Sequence, residues 1–252
     1  MSIPLGVPTW YSRFASNTTS QMSVISGRSA FDTPRITPIN STAYDWWYFD
    51  AASQDGKSSI VLTFFMTGAD GMLFGTTNDH ILGILLNVAF PNGTIYNEVV
   101  SADSAVVETA RDGSIGVFEG TQSGWVGAPD LTSYFVTFGT PDDAIWGTLK
   151  MDSVRIPHPL PQAHATESAS YVLKLGPAHY PCGPAEPGQP LEILPHVGWA
   201  NAIPGANATV DFNIHESSLK FSGPGYHDKV SDPDHQIRPL LILHQRIGAT
   251  PL

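Results

Sequence analysis

Cysteine is almost absent from this chain. The single Cys182 among 252 residues leaves no intramolecular disulfide framework, no Cys pair for a zinc ribbon and no dithiol redox motif; it is read as a structural bystander. Charge is also sparse: Asp, Glu, Lys and Arg make up 14% of the sequence, and the formal net charge is -11. The clustered Lys and Arg that nucleic acid or an anionic membrane surface would require are missing, so an uncharged, mostly apolar ligand fits better. No run approaches the roughly 20 apolar residues of a membrane span. The start, "MSIPLGVPTWYSRFASNTT", holds Pro4 and Pro8 where a signal peptide would need an apolar stretch. Four N-x-S/T sequons begin at Asn17, Asn40, Asn92 and Asn207, but they matter only in the secretory path, and a cytoplasmic location is expected. The commoner enzyme motifs are absent as well: no G-x-S-x-G elbow, no P-loop and no H-E-x-x-H. The nine histidines form no i, i+2 or i, i+4 pair within a strand-like or helix-like run, so neither a metal site nor a cofactor is expected.

Helical periodicity is missing too, whereas turn formers are abundant, with 23 Gly and 21 Pro. Many short strands joined by many turns are expected, which makes an all-β sandwich or barrel the default. "YDWWYFDA" (44–51), the turn "SQDGKS" and "SIVLTFFMT" (59–67) read as one hairpin. "HILGILLNVAF" (80–90), "PNGT" and "IYNEVVS" read as a second. Further candidates are "SAVVETA", "SIGVFEG", "LTSYFVTFG", "AIWGTLKMDSV", "SYVLKL" and "ATVDFNIH". Prolines in "IPHPLPQAHATES" (156–168) and "GPAHYPCGPAEPGQP" (176–190) exclude both from a central ladder; the second reads as a crossover or as a rim over a pocket.

The aromatic strand is the most informative segment. Side chains alternate across a strand, so Tyr44, Trp46, Tyr48 and Asp50 share one face while Asp45, Trp47 and Phe49 share the other. Both faces are aromatic, so neither can simply meet water. One fills a core; the other needs a second layer, either packed protein or a bound apolar molecule.

"AYDWWYFDA" resembles the [E/D]-W-W-Y-F-D signature of lipocalin-like proteins that include the acyclic carotenoid hydratases (hydroxyneurosporene synthases) and the fungal Diels-Alderases of secondary metabolism. "HVGWANAIPGANATVDFNI" (196–214) is similar to the family's W-x-x-P-x-P-x-A/G-x-A-x-V segment, and "GPGYHDK" (223–229) to its G-x-G-Y-H-D-x-N-W block. The resemblance implies an antiparallel N-terminal β-sandwich followed by a lipocalin-like barrel, with substrate held between them. For the fungal members it implies cofactor-free [4+2] cyclisation of a polyene, often a polyketide or polyketide–peptide intermediate. Such a reaction needs no nucleophile. Holding diene and dienophile in a folded near-attack conformer supplies several kcal/mol of the barrier, and one donor to a dienophile carbonyl adds electrostatic activation.

On this reading Tyr48, Asp50 and His227 are the candidate catalytic residues, and Trp46, Trp47, Trp199 and Tyr226 the candidate substrate-binding ones. Alternatives stay open at several of them. Asp50 either orients a hydroxyl or caps the following turn. His227 is either a pocket residue or a structural histidine satisfied by backbone, and Trp199 either stacks on ligand or plugs the sandwich. His227 and Asp228 point to opposite faces and cannot pair with each other. Hydratase-type relatives read H-D-H-N-W at this block, whereas this chain has Lys229 and no N-W, which weakens a hydratase reading. The alternatives to the cyclase are a hydratase or isomerase that protonates a polyene, and a non-catalytic lipocalin-like small-molecule binding protein.

The expected organisation is an irregular segment over 1–40, a β-sandwich over 41–229 and an atypical tail over 230–252, with the barrel largely absent. The tail, "VSDPDHQIRPLLILHQRIGATPL", lacks strand alternation. Its opening Val-Ser can be encoded by GTGAGT, the usual start of a eukaryotic intron, so an intron-derived tail is expected. A sandwich lacking its barrel would expose apolar surface and tend to associate.

Overall fold

The computed structural model describes residues 6, 8–23, 31–71, 80–154 and 197–234. Strands joined by turns and irregular connections make up all of them; among the described residues there is no helix, and none long and apolar enough to cross a membrane. Cys182, both proline-rich segments, the candidate strand "SYVLKL" and residues 235–252 lie outside the described residues.

The two expected hairpins form, β4 (Tyr44–Ala52) with β5 (Ser59–Thr67) and β6 (Leu82–Ala89) with β7 (Ile95–Ser101). Their turns use glycine where the backbone needs positive φ, Gly56 at 69° and Gly93 at 85°. β8 (Ser104–Ala110), β9 (Gly113–Glu119), β11 (Ser133–Gly139) and β12 (Ile145–Ser153) fall on the runs named from alternation. The short β10 (Ser123–Gly127), "SGWVG", was not legible as a strand, because two of its five residues are glycine. β13 (Gly198–Ile214) and β14 (Ser217–Asp232) make one long hairpin, much longer than "ATVDFNIH" suggested. Two register shifts in β13, between Ala200 and Ile203 and between Ile203 and Ala206, accommodate Pro204, which an unbroken central ladder would reject. β14 runs on past Lys229, and Val230, Ser231 and Asp232 pair with Trp46, Asp45 and Tyr44. Within 1–40, β1 (Thr9–Ser12) pairs with β8, and β2 (Gln21–Met22) with β3 (Ile36–Thr37).

Twelve strands form one antiparallel sheet in the order β1-β8-β9-β10-β11-β12-β13-β14-β4-β5-β6-β7. In a flat sheet β7 and β8 would lie ten spacings, about 48 Å, apart. Yet Ala102 and Asp103 alone connect them, and two residues bridge only about 10 Å. The sheet must therefore curl until its ends meet. Its concave face closes on itself as two layers, with β4 and β5 opposite β9–β11: Trp47 lies 4.9 Å from Trp125, Phe64 5.3 Å from Phe118, and Phe49 5.8 Å from Tyr134, between ring centroids. A sandwich core thus comes from one continuous sheet. Inward-facing Ile60, Leu62, Phe64 and Met66 of β5 and Ile84, Leu86 and Val88 of β6 fill it.

Candidate functional site

The β4–β14 pair carries chemistry on both faces. On the core face three successive cross-strand pairs match in kind: Asp45 opposite Ser231, Trp47 opposite Lys229 and Phe49 opposite His227. Ser231 Oγ donates to Asp45 Oδ1 at 2.7 Å, the Lys229 ammonium pairs with the same carboxylate, and its Nζ lies 4.0 Å above the Trp47 ring. His227 stacks on Phe49 at 4.0 Å. Asp45 also accepts the Arg35 and Ile36 amides at 2.7 and 3.2 Å, tying β3 to the network.

Asp32 extends this network across the core. Its Oδ2 accepts from Ser114 Oγ at 2.6 Å and Tyr134 OH at 2.7 Å, and lies 3.2 Å from His227 Nε2. Trp125 Nε1 donates to Ser114 Oγ at 2.9 Å, and Trp47 Nε1 to the Asp32 carbonyl at 3.1 Å. Burial, with the charge of Arg35 adding, pushes the Lys229 ammonium well below its usual range, against the pull of Asp32. Burial likewise lowers Arg35 to about 10, opposed by Asp32. At Asp45 the opposite charge of Lys229 is stacked with hydrogen bonds from Ser231, Arg35 and Ile36 supplied, which is the condition under which buried ions persist.

The outer face is built differently. Tyr48 stands opposite Asp228, and Asp50 opposite Tyr226. Each tyrosine donates to the acid two residues along its own strand, Tyr48 OH to Asp50 Oδ2 at 3.0 Å and Tyr226 OH to Asp228 Oδ2 at 2.8 Å. The two phenol rings meet edge to face at 6.3 Å. Trp199 Nε1, from β13, donates to Asp228 Oδ2 at 2.7 Å. Beside this square Tyr44 and Trp46 stack at 5.2 Å, joined by Phe65, Leu85 and Val230 in an apolar patch. Burial first, then the charge of Asp228, pushes the Asp50 carboxyl up to about 6, against the hydrogen bonds from Tyr48 and the Tyr226 amide. Burial and the adjacent carboxylates likewise raise both tyrosine hydroxyls, so they remain neutral donors.

The structure therefore brings Tyr48, Asp50, Trp46, Trp199 and Tyr226 to one face of the sheet, where Trp46 is itself buried. Trp47 and His227 lie on the opposite face, both wholly buried, and cannot touch a molecule bound against Tyr48 and Asp50. His227 takes the backbone option, its Nδ1 donating to the Tyr48 carbonyl at 2.9 Å. Asp50 orients the Tyr48 hydroxyl rather than capping the turn, whose capping falls to Asp55 and Ser53. Sequence reasoning left Asp228 without a role, although the repeated spacing in "YFD" and "YHD" is a signal for it. Asp32 had none, since its partner His227 lies 195 residues away.

Among the described residues no three His, Cys, Asp or Glu side chains converge as metal ligands. An apolar groove of about 280 Å³, lined by Ile115, Val126, Phe135 and Lys150 among others, opens elsewhere, on β9–β12.

A sequence model described as Diels-Alderase-like matches residues 11–234. The quinolone epoxide rearrangement protein asqO of Emericella nidulans is 33% identical over 215 residues, covering 84% of this chain and 53% of that one. PenF of Penicillium thymicola, of the same description, is 29% identical, covering 84% and 54%. The Diels-Alderase pyiF of Pyricularia grisea is 26% identical, covering 79% and 42%. In fold, the chain matches the crystal structure of CghA with Sch210972 at a TM-score of 0.64 and 21% identity, over 90% of this chain and 56% of that one. The chain spans about half the length of the curated relatives it matches. With most of its residues matched, the chain belongs to the Diels-Alderase-like family.

Proposed function

We propose that this protein is a pericyclase that catalyses cofactor-free [4+2] cyclisation of an unsaturated polyketide-type intermediate, with the outer face of β4, β13 and β14 as the substrate wall. The observation that carries this reading is the Tyr48–Asp50/Tyr226–Asp228 square, a set of hydrogen-bond donors among tryptophans with no nucleophile–base pair. Trp199, half-buried, offers flat apolar surface to a folded polyene, with the buried Trp46 packed behind the wall; holding the polyene folded lowers the entropic part of the barrier. A neutral Asp50 carboxyl or a Tyr48 hydroxyl donates to the dienophile carbonyl, where electron density builds as the two carbon–carbon bonds form; a well-aimed donor of this kind is worth about 3 kcal/mol. No proton or electron is consumed. The substrate partner is an apolar small molecule, not nucleic acid.

A second reading, acid-assisted rearrangement of an epoxide, is favoured by one observation. Asp50 titrates near 6, so near neutral pH it can lend a proton to a ring oxygen as the carbon–oxygen bond breaks and recover it after the carbon skeleton shifts. The two rearrangement proteins among the relatives fit the same chemistry.

Incubation with a linear polyene carrying a carbonyl-activated alkene, and separately with an aryl-quinolone epoxide, decides between them by mass spectrometry and NMR. A cyclised product of unchanged mass from the polyene is expected, with Tyr48→Phe and Asp50→Asn slower by about 10- to 100-fold. Turnover of the epoxide alone selects the second reading. A gain of water points to a hydratase, and binding without turnover to a carrier; either outcome overturns the proposal.

A further inference from the structure

Asp50 and Asp228 face the same outer surface as diagonal neighbours of an antiparallel pair, with their backbones roughly 7–8 Å apart. Their hydrogen-bond partners are unequal. Asp228 Oδ2 accepts two short bonds, from Trp199 Nε1 at 2.7 Å and Tyr226 OH at 2.8 Å. Asp50 accepts a longer side-chain bond, from Tyr48 OH to Oδ2 at 3.0 Å, and one from the Tyr226 amide, with no indole donor. An indole N–H can only donate, so the oxygen it meets must remain an acceptor, and donors converging on a carboxylate stabilise its ionised form. Burial works the other way, since Asp228 is 2% exposed and the more enclosed of the two. The convergent donors supply the compensation that a buried charge needs. Two carboxyls on one low-dielectric surface resist double ionisation, so up to about pH 6 the pair keeps one proton.

We propose that Asp228 is the ionised member of this pair and the positioning residue of the site: it fixes the Trp199 indole and Tyr226 hydroxyl, and its charge keeps the exchangeable proton on Asp50. Environments that push paired carboxyls apart divide them into donor and stabiliser. The groups facing Asp50 agree with this assignment. Tyr48 comes from its own strand, Tyr226 and Asp228 from β14 and Trp199 from β13, while β5 places Val61 opposite Asp50 and Thr63 opposite Tyr48, neither of them ionisable. Burial and the Asp228 charge raise the Asp50 carboxyl, as described above. Specificity follows, resting on the functional reading given above. A fixed negative charge beside a neutral acid repels a substrate carboxylate and accepts a neutral carbonyl or ether oxygen, so the group bound at this end of the intermediate is uncharged.

NMR titration of protein labelled at the aspartate carboxyl carbons tests the assignment, with Asp50→Asn identifying the Asp50 signal. The Asp50 midpoint is expected near 6 in the unaltered protein and about one pH unit lower in Asp228→Asn. It should fall as well in the double variant Trp199→Phe with Tyr226→Phe, because Asp228 without these two donors holds its charge less well and competes for the proton. An Asp50 midpoint that stays put in a folded Asp228→Asn protein overturns the proposal. If that variant does not fold, the double variant decides alone, and an unmoved midpoint there overturns it equally. Turnover plays no part in this readout, so a missing cyclisation counts against the proposed function only. Where turnover is measured, the alkaline limb of kcat should move to lower pH in Asp228→Asn by the same amount as the midpoint.

Discussion

Replacing Asp50 by Asn removes a carboxyl whose ionisation the folded protein resists. The folded group titrates near 6, against 3.8 for the free side chain. Between those two values the native state holds a proton that the unfolded chain has released, so stability falls as pH rises through the window. A difference of about two units corresponds to about 3 kcal/mol, nearly all lost between pH 4 and pH 6 and then constant at higher pH. Asn keeps the shape of the side chain and an oxygen that accepts from Tyr48 OH, but it never ionises. Asp50→Asn should therefore match the unaltered protein within about 1 kcal/mol near pH 4 and exceed its stability by about 2–3 kcal/mol at pH 8. Urea unfolding of both proteins at pH 4.5, 6 and 8, followed by tryptophan fluorescence, measures the gap. A gap independent of pH, or an Asn variant that is the less stable at pH 8, would refute the assignment of a raised carboxyl on the outer face.

The core face gives predictions of opposite sign. Lys229→Met leaves the Asp45 carboxylate buried without its cation and should cost about 3–5 kcal/mol in urea unfolding, whereas adding Asp45→Asn should recover part of the loss. His227→Phe keeps a ring against Phe49 but removes the donor to the Tyr48 carbonyl; a loss of about 2–3 kcal/mol is expected, with turnover per folded molecule retained. A folded but inactive His227→Phe protein would return this histidine to the chemistry. Gly116→Ala drives a Cβ into the Trp125 ring, and in so closely packed a core a loss of about 1–3 kcal/mol is expected; an unchanged melting temperature would show that the ring has room to move.

The Tyr48 and Asp50 side of the site was readable because it is one strand seen along its own alternation. Asp228 was half readable: its distance from Tyr226 repeats that of Asp50 from Tyr48, but nothing local says that β14 lies beside β4 in a register that sets each acid opposite a tyrosine. The same alternation placed His227 away from Asp228. It could not place His227 away from Asp50, because that depends on which faces of two strands coincide.

The sequence by itself determined what one strand can know. Glycine and proline marked the turns, and the two-residue period assigned Trp46 and Tyr48 to one face of β4 and Trp47 and Phe49 to the other. Only the tertiary structure decided which of those faces became the core. That choice follows from closure of the sheet, when the two-residue link at Ala102 and Asp103 draws β7 and β8 together and brings Trp125, Phe118 and Tyr134 against β4 and β5. Asp32 then meets His227 across 195 residues. Alternation is a property of the backbone's local sterics, whereas burial belongs to whatever the curled sheet encloses.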